Sequence, residues 1–216
     1  MGFLGETLDK VGKIAVEEWK KFQAEQARKQ QIGSMREDEL VEVANGNGWE
    51  AIYAANRLAN DYLLQMDYQN AEFWARKGVR EHNPESLFLL GVIASQQGNF
   101  GKCEQWHLQN VNFNSDADSA SELGFLWLNP SENPELPTDL EKAKYYFDFA
   151  LKQNSKHAEA SYGLVLWLLM SDSLDESDYS EMSRFKELLR NATHSAQATI
   201  RDDAENILQD VEKRYS

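Results

Sequence analysis

Cysteine is almost missing from this 216-residue chain, which has Cys103 and no other. No internal disulfide can form, and a reducing, cytoplasmic setting is the simpler expectation. Cations are also scarce. Lys and Arg number 22 against 36 Asp and Glu, a formal net charge of -14. Nucleic acid is therefore not expected as a partner, since binding a phosphate backbone takes clustered Lys and Arg to displace counterions. A basic protein suits the opposite field better. No apolar run approaches the roughly 18 residues of a membrane-spanning helix. The opening MGFLGETLDKVGK lacks the continuous apolar centre and cleavage site of a secretory signal. Glu6 stands where an N-myristoylation pattern wants Ser or Thr. Membrane attachment is not the expectation.

Catalytic and cofactor motifs are lacking as well. The sequence has no Gly-rich phosphate loop, no GxSxG elbow and no HExxH, and SDSLDESDYSE does not follow the Asp-x-Asp-x-Asp-Gly order of a calcium loop. Cys103 and His107 lie four apart, on one face of a helix, but two ligands are too few for zinc. Cys103 falls where helix packing wants a small buried side chain. We expect no catalytic residue, no metal, no cofactor and no enzymatic activity.

What the chain does have is apolar content of 42%, six Trp and a repeat. This is enough to fold and bury a core. PESLFLLGVIASQQGNFGKCEQW, ADSASELGFLWLNPSENPELPTDLEKAKYYF and HAEASYGLVLWLLMSDSLDESDYSEMSRFKELL each read as an apolar helix with one Gly, a loop, and a second amphipathic helix. Small residues mark where helices cross closely: Ala71, Ala75, Gly91, Ala94, Cys103, Gly124, Ala143, Ala150 and Gly163. Gly91 to Gly124 is 33 residues and Gly124 to Gly163 is 39, inside the window of about 20 to 50 for solenoid repeats.

Upstream, residues 3–29 read as a helix with Leu4, Leu8, Val11, Ala15, Trp19 and Phe22 on one side, a face that needs cover from the first repeat or a symmetry mate. Ser34 and Glu37 have the spacing of a capping box, and Asn45-Gly46-Asn47-Gly48 separates two further helices, the second ending near Leu64. From Asp67 another helix runs toward His82-Asn83-Pro84, and a last amphipathic helix from Ser195 to Tyr215 suits a solenoid cap. Residues 1–33 read as a helix and linker, and 34–216 as the repeat domain.

The Leu-Gly of SLFLLG and SELG, the Tyr-Gly of ASYGL and the Lys-Ala-x-x-Tyr-Phe of EKAKYYF resemble tetratricopeptide repeats, and more closely the longer Sel-one-like variety with its extended loop. His107 departs from that pattern, where an aromatic is usual. The resemblance implies an all-α, right-handed α-α superhelix of about ten helices, with a divergent N-terminal helix and a C-terminal capping helix.

Two surfaces are candidates for binding. From Asn114 to Glu141 there are seven acidic residues and no Lys or Arg, and from Ser171 to Ser183 five and again none. Stacked repeats would align these loops into an acidic rim: Glu132, Glu135, Asp139, Asp172, Asp175, Glu176 and Asp178. The other is a groove carrying Phe88, Phe125, Trp127, Tyr162 and Trp167. The expected function is protein binding. Small acidic helical-repeat proteins of this kind look like bacterial immunity or antitoxin proteins that cover a basic toxin. The alternative is a peptide-binding scaffold using the groove, with the N-terminal helix reaching a membrane or a second subunit.

Overall fold

Capping side chains set the helix starts in this chain, and they recur in register. The structure is a computed structural model that describes residues 2–128 and 138–214, with side chains in the first helix from Glu17 onward. Among the described residues there are eleven α-helices and no strand. They divide between two compact units, Met1–Gly78 and Val79–Ser216.

The first unit holds α1 (Gly2–Gly33), α2 (Glu37–Ala44), α3 (Trp49–Leu64), α4 (Tyr68–Ala75) and a 3-10 turn, Arg76–Gly78. The expected cap at Ser34 is displaced. Ser34 Oγ donates to the Gln31 carbonyl at the end of α1, while Glu39 accepts from the Arg36 amide at 2.9 Å and opens α2. The foot of α1 is fastened to α3. Arg28 donates to Glu50 from Nε and Nη2 at 2.9 and 2.8 Å, Ile32 is fully buried, and Lys29 lies about 6 Å from the rings of Trp49 and Tyr53. From Glu17 to Ala27 every side chain is exposed, including the stacked pair Trp19 and Phe22 at 60% and 51%. Among the described residues of the first unit nothing covers that stretch.

The second unit holds α5 (Pro84–Gln96), α6 (Phe100–Asn114), α7 (Ala117–Leu128), α8 (Leu140–Gln153), α9 (Ala158–Met170), α10 (Tyr179–Ala192) and α11 (Ala198–Arg214). Each helix packs on the next, and the first helices of successive hairpins also touch, α5 on α7, α7 on α9 and α9 on α11. This is how a helical solenoid stacks.

Second helices open on Asp67, Asn99, Asp139 and Asp178, whose side chains accept from the amides of Asn70, Lys102, Lys142 and Ser180. Four residues on, each buries a side chain: Ala71, Cys103, Ala143 and Met182. First helices α3, α5 and α9 end alike, with the residue after the C-cap left-handed: Met66, Gly98 and Asp172 at φ 60, 70 and 51°. The next amide reaches back to Tyr62, Ala94 or Leu168, the Schellman closure of a helix end.

Glycine makes the close crossings. The Phe147 ring fills the space over both Gly124 and Gly163, where an added Cβ would stand 2.4 and 2.2 Å from ring carbons. At Gly91 the same space is taken by His107, 2.4 Å from a Cβ built there. His107 and Phe147 are both fully buried, so the histidine holds the aromatic's place in its repeat.

Candidate protein-binding interface

The loop from Ser171 to Asp178 is built by its own acids. Asp172 supplies the left-handed residue that ends α9, Asp175 accepts from the Ser177 amide and hydroxyl at 2.9 and 2.6 Å, and Asp178 caps α10. The Asp175 amide donates to Glu181, on the first turn of α10, at 3.0 Å. Hydrogen bonds from Ser177 hold the Asp175 carboxyl below the usual carboxylate range. Asp172, Asp175, Glu176 and Asp178 are all exposed. Among the described residues no Lys or Arg forms an ion pair with Asp172, Asp175 or Asp178.

The other acidic stretch is reapportioned. Asp116 accepts from the Ser119 amide at the start of α7, Asp118 and Glu122 lie on α7, and Glu141 lies on α8. Asp139 is the cap of α8, and Glu132 and Glu135 lie outside the described residues. Less of this acid belongs to a loop than its sequence spacing suggests.

A carboxylate cluster that sequence reading missed lies instead where α7, α9 and the approach to α11 meet. His157 caps α9, its Nδ1 accepting from the Ala160 amide at 3.2 Å, which leaves Nε2–H to donate to Asp118 at 2.8 Å. That bond lowers the pKa of Asp118. Burial, then the carboxylates of Asp118 and Glu159, raise that of Glu122. Ser195 donates to Glu159 at 2.7 Å. The sequence signals are slight, one i, i+4 pair and a His opening a helix.

No protein-family model matches the chain, and no curated protein matches it.

The groove aromatics divide. Trp127 and Tyr162 are buried at 6% and 9% exposure, with Lys142 Nζ 3.8 Å over the Trp127 ring and the Tyr162 hydroxyl donating to Asp203 at 3.1 Å. Phe88 and Phe125 are half-buried and set edge to face against His107 and Phe147. Trp167 is half-buried, its ring 5.4 Å from Lys144 Nζ. All five thus have intramolecular partners, and the same helical period that marked them serves the core.

Cys103 and His107 are packing residues. Burial pushes the thiol up to about 12, which keeps it protonated and disfavours a nucleophilic role. Burial pushes His107 down to about 4, and its Nδ1 lies 3.2 Å from Ser119 Oγ. Among the described residues no group of three metal-binding side chains is found, and no helix is long and apolar enough to cross a membrane.

Proposed function

We propose that the chain is a helical-repeat protein-binding module of tetratricopeptide or Sel-one-like kind, which docks on a basic protein through its acidic loops. The specific role we assign is that of an immunity protein, neutralising a basic toxin in the cytoplasm. The observation that carries this reading is the Ser171–Asp178 loop: exposed carboxylates, held in shape by Asx and capping hydrogen bonds, with no described Lys or Arg paired to Asp172, Asp175 or Asp178. A preorganised acidic surface loses little entropy on docking and speeds encounter with a cationic one. The scaffold alternative rests on Phe88, Phe125 and Trp167, since Trp127 and Tyr162 are buried.

The variants that test the loop must leave the helix caps alone. Asp178 is therefore kept, and Asp172→Asn, Asp175→Asn and Glu176→Gln are combined, because Asn tolerates the left-handed backbone and still accepts hydrogen bonds. The expected result is slower association with the basic partner and an unchanged circular-dichroism spectrum. An unchanged association rate contradicts the reading.

A further inference from the structure

Beside the acidic loop lies a small apolar cleft. Met182 and Phe185 of α10 and Ile207 and Val211 of α11 form its walls, and Leu169 and Leu174 close it, around a volume of about 190 Å³. Glu176, Asp210 and Arg214 stand at its margin. Leu169 is 50% exposed, as is its neighbour Met170 at 53%, so apolar surface continues outward from the cleft. Leu174 and Glu176 belong to the acidic loop itself, which makes cleft and loop one continuous surface.

We propose that this cleft seats an apolar side chain from a basic amphipathic segment of the partner protein, with Lys or Arg on that segment meeting the acidic loop. The proposal rests on the reading of the loop as a docking surface and adds where its anchor goes. Size points to a side chain, because pockets for small molecules run to about 300 Å³ and more. Charge points to a basic segment. Glu176 and Asp210 line the cleft against Arg214, and Asp172, Asp175 and Asp178 lie on the same loop as Leu174 and Glu176. The nearby cations are Lys213, whose Nζ lies 3.8 Å from Asp210, Arg190, paired with Glu212 at 3.3 Å, and Lys186, which lines the adjoining hollow. An apolar anchor in a desolvated pocket, with surrounding contacts that exclude water, is the arrangement in which a few residues carry most of the binding energy.

The test uses fluorescence anisotropy with the full chain and two labelled peptides, one of Leu and Lys patterned as an amphipathic helix, the other with Ser in place of each Leu. The Leu/Lys peptide binds, and the Ser/Lys peptide binds at least about ten-fold more weakly, as loss of a central anchor requires. Val211→Arg weakens the Leu/Lys peptide to the same extent, and so does Leu174→Ser, which leaves α11 untouched. Equal binding of the two peptides, or no effect of either substitution, overturns the cleft while leaving the acidic docking surface standing. Binding of neither peptide overturns both. Self-association of the chain that Val211→Arg abolishes assigns the cleft to a second copy and overturns the proposal too.

Discussion

His107 sets a pH dependence on the stability of the second unit. Its imidazole is fully buried and titrates near 4, against an ordinary value of 6.5. Between those values the unfolded chain holds more protons than the folded one, so stability rises with pH there. The contribution is complete above about pH 6.5 and disappears as pH falls toward 4, a loss of at most about 3 kcal/mol. Urea titrations at successive pH values should show the slope, and His107→Phe should flatten it relative to the unsubstituted chain. Equal slopes in the two proteins would contradict the assignment. The sequence marked His107 as a departure from an aromatic position; it could not show that Gly91 makes room for the ring. Met66 is a second residue-scale case. It is 74% exposed with φ at 60°, and a left-handed non-glycine residue costs about 1–2 kcal/mol, part of which Gly returns through its freer unfolded chain. Met66→Gly should raise stability by up to about 1 kcal/mol in thermal melts, and a drop in stability would refute the strain. Nothing local announces that site, because only its equivalence with Gly98 and Asp172 reveals the shared turn.

Helix crossing decides the next scale. Gly124 and Gly163 present bare backbone to one ring, Phe147, so a methyl on either has nowhere to go unless the ring moves. Gly163→Ala should cost about 1–3 kcal/mol by overpacking. Combining it with Phe147→Leu should cost less than the sum of the single changes, the coupling expected of residues in contact. Additive costs in a double-mutant cycle would show that the ring is not the obstacle. The elements themselves were legible from their period. Gly91, Gly124 and Gly163 marked the crossings correctly, and α3 starts and stops where its apolar spacing and turn residues place it. Boundaries ruled by capping chemistry were harder. Ser34 bonds backward to α1 instead of forward to α2, and the segment from Asp67 stops being α-helical at Ala75 and tightens into a 3-10 turn. Both outcomes turn on which nearby group a single side chain or amide finds.

At the scale of the whole molecule, charge is the feature to explain. The net charge of -14 was plain in the sequence, but its placement was not. Asp118 and Glu122 look like loop acid until α7 is seen to carry them to His157 and Glu159. The Asp172–Asp178 acids, by contrast, were read as an exposed loop and are one, although the same residues also shape it. The same caps and turns would serve any connection between helices, and a docking surface also gains from them, because the cost of ordering is met before the partner arrives. Association kinetics separate the two. On the proposed reading the partner is a basic toxin, to be captured on a sensor and titrated with the chain and with its Asp172→Asn, Asp175→Asn, Glu176→Gln form at low and physiological salt. The account predicts that the substitutions slow association by about ten-fold or more at low salt, with a smaller gap at higher ionic strength and little change in dissociation. Identical association rates for the two proteins at both salt concentrations would contradict it.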